Sequence, residues 1–90
     1  MATGTTGAIS ELRVCVDLLA RGYEVFRSVS QSCSCDIAVL KDGRLFRIEV
    51  TTGYENPHTG TLSYSPHKTE NYDVIAVVLP EDIVFKPELP

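Results

Sequence analysis

The chain has 90 residues, 43% of them hydrophobic, a formal charge of -4 and a pI near 5. That size supports one small globular domain over 1–90 with a single core and little apolar surface to spare, so association into a homodimer or higher homo-oligomer is expected. The acidic balance gives no basic footprint for duplex nucleic acid. No run of 18 apolar residues marks a membrane span and no basic-then-apolar leader marks export, which points to the cytoplasm, and three cysteines, two of them one residue apart, read as free thiols rather than a disulfide framework.

Residues 2–7 are small and flexible, with Thr5 and Thr6 available as N-caps for a helix predicted over 8–20. At 100° per residue, Ala8, Ile9, Leu12, Cys15, Val16, Leu18 and Leu19 fill one broad arc, expected to face the core, while Ser10, Arg13, Asp17 and Arg21 fill the opposite one. Glu11 falls inside the apolar arc, where a carboxylate is costly unless paired or coordinated. Gly22 after Arg21 predicts a C-cap. Residues 23–28, YEVFRS, alternate and favour a first strand, and 29–34 form a Ser-rich connection.

Two apolar runs, 36–40 and 45–50, flank Lys41-Asp42-Gly43-Arg44. A two-residue Asp-Gly loop between alternating runs signals a tight hairpin, because a type I′ turn needs φ > 0 at both central positions. With Asp42 and Gly43 as the loop, Lys41 pairs with Arg44, Leu40 with Leu45, Val39 with Phe46, Ala38 with Arg47, Ile37 with Ile48 and Asp36 with Glu49. Ile37, Val39, Phe46, Ile48 and Val50 then face one way, and Asp36, Ala38, Leu40, Leu45, Arg47, Glu49 and Thr51 the other. Two carboxylates are set opposite each other, which is destabilising unless something positive lies between them.

Residues 52–71 lose the apolar period and predict a long loop with one short helical turn near 66–70. Residues 72–79 are a near-continuous apolar run, consistent with a strand buried on both faces. A turn at 80–82 and a short strand at 83–86, stopped by Pro87, complete the chain. The order predicts an α/β sandwich, a mixed sheet with an N-terminal helix on one face. Phe26, Phe46 and Phe85 are assigned to the core.

Glu11, Asp36 and Glu49 together suggest a hard divalent cation, Mg²⁺ or Mn²⁺, which takes carboxylate oxygens, keeps several waters and activates one of them against a phosphate. Each acid alone is as readily a strand cap, an ion-pair partner or a helix-edge residue. Cys33 and Cys35 with His58 and His67 form a further set of zinc-type ligands whose spacing fits no common structural zinc pattern. Tyr54, His58, Tyr64, His67 and Lys68 give the long loop an aromatic and basic character suited to backbone contacts or base stacking, or to packing against a second subunit.

The helix GAISELRVCVDLLARGYEVF, with Glu11, Gly22 and Tyr23, the strand CDIAVL with Asp36, the strand RIEVTTG with Glu49, and the run YDVIAVVLPEDIVF resemble, in order and spacing, the PD-(D/E)XK nuclease superfamily. The nearest likeness is to its small members, the Holliday-junction resolvases and an intron-encoded homing endonuclease of the kind carried by mobile elements. The resemblance implies a restriction-endonuclease-like core with a mixed five-stranded sheet. It further implies Asp36 and Glu49 holding Mg²⁺, Glu11 assisting from the helix, and hydrolysis of DNA by a metal-activated water. Two positions depart from the pattern. Cys35 stands where proline often precedes the metal-binding Asp, and Thr51 stands where the acid-x-lysine motif has its lysine. Arg47 on the same face, or Lys68 from the long loop, would supply the missing cation; without one the site is degenerate. The alternative is a non-catalytic homodimeric interaction module that keeps the nuclease fold.

Overall fold

The computed structural model describes residues 3–30, 33, 35–65 and 71–90. The chain runs α1 (Thr3–Ala20), β1 (Glu24–Arg27), β2 (Ile37–Lys41), β3 (Arg44–Thr52), β4 (Tyr54–Glu55), β5 (Leu62–Ser63), β6 (Val74–Val78) and β7 (Ile83–Lys86). Five strands form one sheet in the order β1-β2-β3-β6-β7, antiparallel except for the parallel β3-β6 pair. The expected mixed five-stranded sheet with an N-terminal helix on one face is the architecture observed.

The hairpin register is the one counted from the turn. Lys41 pairs with Arg44 and the ladder continues to Ile37 with Ile48, while Asp42 and Gly43 take the positive φ values, 53° and 75°, that the loop demands. Ile37, Val39 and Ile48 are fully buried and meet Val14 and Leu18 of α1, with Val74, Ala76 and Val78 completing the core on that face of the sheet. The helix ends as Gly22 predicts. Gly22 takes φ 90°, its amide donates to the Leu19 carbonyl at 3.0 Å and the Tyr23 amide donates to the Leu18 carbonyl at 3.1 Å, a Schellman closure. Tyr23 is buried beneath it and its hydroxyl donates to the Pro90 carbonyl.

Three expectations about the helix and one about the core are corrected. The helix starts at Thr3 rather than residue 8, so Thr5 and Thr6 lie within it rather than at its N-cap. Gly4 and Gly7 are poor helix formers and lie exposed in the added turns, while further along the helix buried Ser10 shares a 3.0 Å hydrogen bond with Thr52 at the end of β3. The core-facing side is also rotated from the expected arc. Ser10, Val14, Cys15 and Leu18 are buried, whereas Ile9, Leu12, Val16 and Leu19 are 41–66% exposed. Phe26 is not core either. It pairs with Ala38 on the face of the sheet away from α1, near the free edge, and is 53% exposed. Phe85 is buried, and Phe46 is partly buried against the core.

The long segment after β3 contains a small hairpin, β4-β5, rather than loop alone. Gly53, just before it, lies over the second face of the sheet, where Ile75 and Val77 are buried. The Gly53 backbone approaches Val77 and Leu79 so closely that an added Cβ would overlap the Val77 Cγ1. The expected helical turn at 66–70 lies outside the described residues. No helix among those described is long and apolar enough to cross a membrane.

Gly53→Ala should therefore destabilise the domain by roughly 1–3 kcal/mol through overpacking, measured by urea denaturation. An unchanged midpoint would show that the segment after β3 does not press on Val77.

Candidate active site

Asp36 is the residue immediately before β2, one step beyond the last paired rung, and Glu49 is the β3 residue after Ile48. The hairpin register thus brings the two side chains together at the open end of the β2-β3 ladder. The Ser28 amide donates to the Asp36 carbonyl at 3.1 Å, extending the pairing with β1. Its carboxylate Oδ2 accepts the Val50 amide at 2.9 Å, so backbone on both sides holds Asp36 in place. Glu49 is half-buried beside it. Burial first, then the Asp36 charge, a hydrogen bond to Asp36 and the more distant Glu11 charge push the Glu49 carboxyl up from its ordinary 4.5 to about 7. The Glu49 carboxyl thus exchanges its proton near neutrality, and when protonated it donates to Asp36.

Glu11 projects from α1 into the same region. It lines a cleft of about 270 Å³ with Asp36, Ser28, Val29, Ser30 and Cys33. A second hollow of about 160 Å³, lined by Phe26, Arg27, Cys35 and Asp36 among others, adjoins it. Glu11 is balanced by Arg27 of β1, whose Nη2 lies 3.8 Å from Oε1. Among the described residues no group of three or more His, Cys, Asp or Glu side chains is arranged to hold a metal ion, which applies both to the three acids and to the Cys33, Cys35, His58 set. Two carboxylates still suit Mg²⁺, an ion that keeps several waters and is often held by one or two protein carboxylates together with substrate phosphates.

The candidate replacements for the lysine are placed differently. Thr51 follows Glu49 by two residues and is buried, paired with Val77 of β6. The Arg47 guanidinium is forked onto Asp73, with Nε 3.2 Å from Oδ2 and Nη2 3.0 Å from Oδ1. The Arg47 amide also donates to Asp73 Oδ2 at 2.8 Å and the Asp73 amide donates to the Arg47 carbonyl at 2.8 Å. These bonds hold the Asp73 carboxyl below its ordinary value and clamp the entry to the parallel β3-β6 pair. Lys68 and His67 lie outside the described residues. Arg13 donates to the Leu79 carbonyl, Arg21 pairs with Asp17 and Arg44 covers the Phe46 ring, so these three cations stand away from the acids.

Of the cations that could gather round the acids, Arg27 is the one set beside Glu11. Its signal was present in the register, since the last rung of β1-β2 sets Arg27 opposite Ile37, next to Asp36. All three cysteines are free. Cys35 sits between opposing influences: burial and the Asp36 and Glu49 charges raise its thiol, and Arg47 lowers it, with a net rise.

A model of the PD-(D/E)XK endonuclease family matches residues 1–83. The chain belongs to this family. It is 28% identical over 89 residues to protein 5.3 of Escherichia phage T7, a match covering 89% of this chain and 75% of that protein. Its fold is similar to that of a bacterial homing endonuclease, I-Ssp6803I, with a TM-score of 0.72 at 18% identity, covering 90% of this chain and 64% of that one. The chain thus spans less than two thirds of the homing endonuclease's length, and that likeness is one of fold.

Because the Glu49 carboxyl lies higher in the folded chain than in the unfolded one, its contribution to stability is complete below about 4.5 and is lost as pH rises through about 7. Glu49→Gln keeps a donor to Asp36 without the charge. Its melting temperature should fall less between pH 5 and pH 8 than the wild type's, on the order of several degrees less for a domain of this size. Parallel curves for the two proteins would remove the raised Glu49 carboxyl.

Proposed function

We propose that the chain is a divalent-metal-dependent DNA endonuclease of the PD-(D/E)XK type. The observation that supports this is the meeting of the Asp36 and Glu49 carboxyl groups at the open end of the β2-β3 hairpin, with Asp36 pinned by the Val50 amide. Membership of an endonuclease family supports the reaction class, and the Glu11 cleft beside Asp36 offers room for a phosphodiester. Mg²⁺ or Mn²⁺, when bound, would polarise the phosphate and lower the pKa of the attacking water. Asp36, already pinned by the Val50 amide, would provide a fixed ligand. Glu49 would bind as it loses its proton. Glu11, balanced by Arg27, would hold its carboxylate at the cleft wall to orient water.

A second reading is carried by Thr51. A buried threonine where the motif has its lysine, together with an Arg47 committed to Asp73, describes a site with little cationic help for the developing phosphate charge. On that reading the chain is a non-catalytic, homodimeric interaction module that keeps the nuclease fold.

Calorimetric titration of Mg²⁺ and Mn²⁺ separates the two. The nuclease reading expects binding that strengthens from pH 6 to pH 8, as Glu49 ionises, and that Asp36→Asn weakens by tenfold or more. Asp36→Asn should keep the Val50 hydrogen bond and the fold, whereas Asp36→Ala, which strands that amide, should cost on the order of 1–3 kcal/mol. Metal-dependent cleavage of linear, nicked or branched DNA, lost in Asp36→Asn, would complete the case. Absence of binding at millimolar metal and pH 8 would favour the interaction module.

A further inference from the structure

The side of α1 turned away from the sheet is apolar too. Ile9, Leu12, Val16 and Leu19 are 41%, 49%, 66% and 59% exposed. They follow one another at intervals of three, four and three residues, the spacing of a seam between two packed helices. Thr5, Ala8 and Ala20 complete the same arc of roughly 120°, which holds no charged residue. The charges of the helix lie off this arc and are engaged elsewhere: Glu11 with Arg27, Asp17 with Arg21, and Arg13 with the Leu79 carbonyl at 2.6 Å. A helix that is apolar on two faces has two partners. The sheet is one of them.

We infer that the other is a second copy of this chain, its α1 packed antiparallel against the first about a two-fold axis. Charge selects the occupant. Each copy carries -4, so two copies meet favourably only across a neutral surface, and a two-fold axis sets the same patch against itself. A neutral row of Ile, Leu and Val is its own complement, and the small side chains of Ala8 and Ala20 permit close approach. Antiparallel packing also opposes the two helix dipoles favourably. The stripe offers on the order of 600 Å² per protomer, so a pair reaches the ~1,200 Å² at which specific interfaces begin. The stripe is flanked by a hollow lined by Leu79 and Pro80 and by another that holds Arg13, Asp17, Glu81 and Asp82, so the neutral seam has a charged rim. The other exposed apolar side chains on the sheet, Phe26 and Leu45, lie on its far face near Glu24 and Arg47 and lack this neutrality. The interface uses no residue of the acid pair and stands apart from the nuclease reading.

Sedimentation of the full chain at micromolar concentrations tests it. The wild type should sediment as a dimer. Val16→Glu and Leu12→Lys should each raise the dimer dissociation constant roughly a hundredfold or more, by placing an unpaired charge in an apolar seam, with unchanged far-ultraviolet circular dichroism because both sites are solvent-facing in the protomer. Phe26→Glu should leave the dimer intact. Mixing Val16→Glu with Leu12→Lys should restore a dimer, since antiparallel packing sets the two positions across from each other. A monomeric wild type, or a dimer that survives Val16→Glu or is broken by Phe26→Glu, would overturn the assignment. A mixture that stays monomeric would overturn the antiparallel packing.

Discussion

Everything near the candidate site depends on the two-residue turn at Asp42 and Gly43. A two-residue loop with positive φ at both positions matches the twist of the flanking strands, and once it is placed the ladder has a single register. A slip by one residue would carry Ile37, Val39 and Ile48 from the core to the opposite face. The same constraint sets Asp36 against Glu49. Hydrophobic burial on one side of the hairpin therefore enforces an unfavourable meeting of carboxylates at its end. The protein relieves that meeting by keeping a proton on Glu49 near neutrality, and a divalent cation would relieve it equally well.

The cationic help that the family's motif lysine would give is spent differently in this chain. Arg47 is engaged in holding the start of β6 to β3 through both its guanidinium and its backbone. Parallel strands need a long connection and begin pairing without a tight turn to guide them. A bidentate ion pair reinforced by two backbone hydrogen bonds supplies the missing guide, although its half-exposed position leaves the charge interaction itself screened. Arg27 serves Glu11 in a similar way at longer range. Among the described residues, Arg21, Arg27 and Arg47 each lie against a carboxylate, of Asp17, Glu11 and Asp73 in turn.

The two faces of the sheet are covered by different means. One has α1, and on the other the backbone of Gly53 presses on Val77. A single helix is all that the described residues lay on the first face, and it shows a second apolar stripe. In a chain of this size the core contributes little surplus stability, and a neutral helix surface is where further apolar burial can be gained.

How much of this was legible beforehand divides along physical lines. Features set by local geometry could be read directly: the hairpin register from Asp42-Gly43, the helix end from Gly22, the five core strands from their alternation or continuous apolarity, and the meeting of Asp36 with Glu49 from counting rungs. The family resemblance followed from the order of those elements. Features set by which neighbour a residue meets could not. The wheel of α1 is apolar over so wide an arc that it does not say which part faces the sheet, and the sheet chose Val14 and Leu18, leaving Ile9, Leu12, Val16 and Leu19 outside. Phe26 looked like core from its type, but β1 is an edge strand with one uncovered face. Arg47 was on the right face to help Glu49, yet Asp73, distant in sequence, claims it. The sequence by itself determined strand register and the juxtaposition of two acids, because both follow from backbone conformation and the period of two. Only the tertiary structure decided which cations serve the site and which helix face is exposed, because those depend on long-range packing that no local pattern encodes.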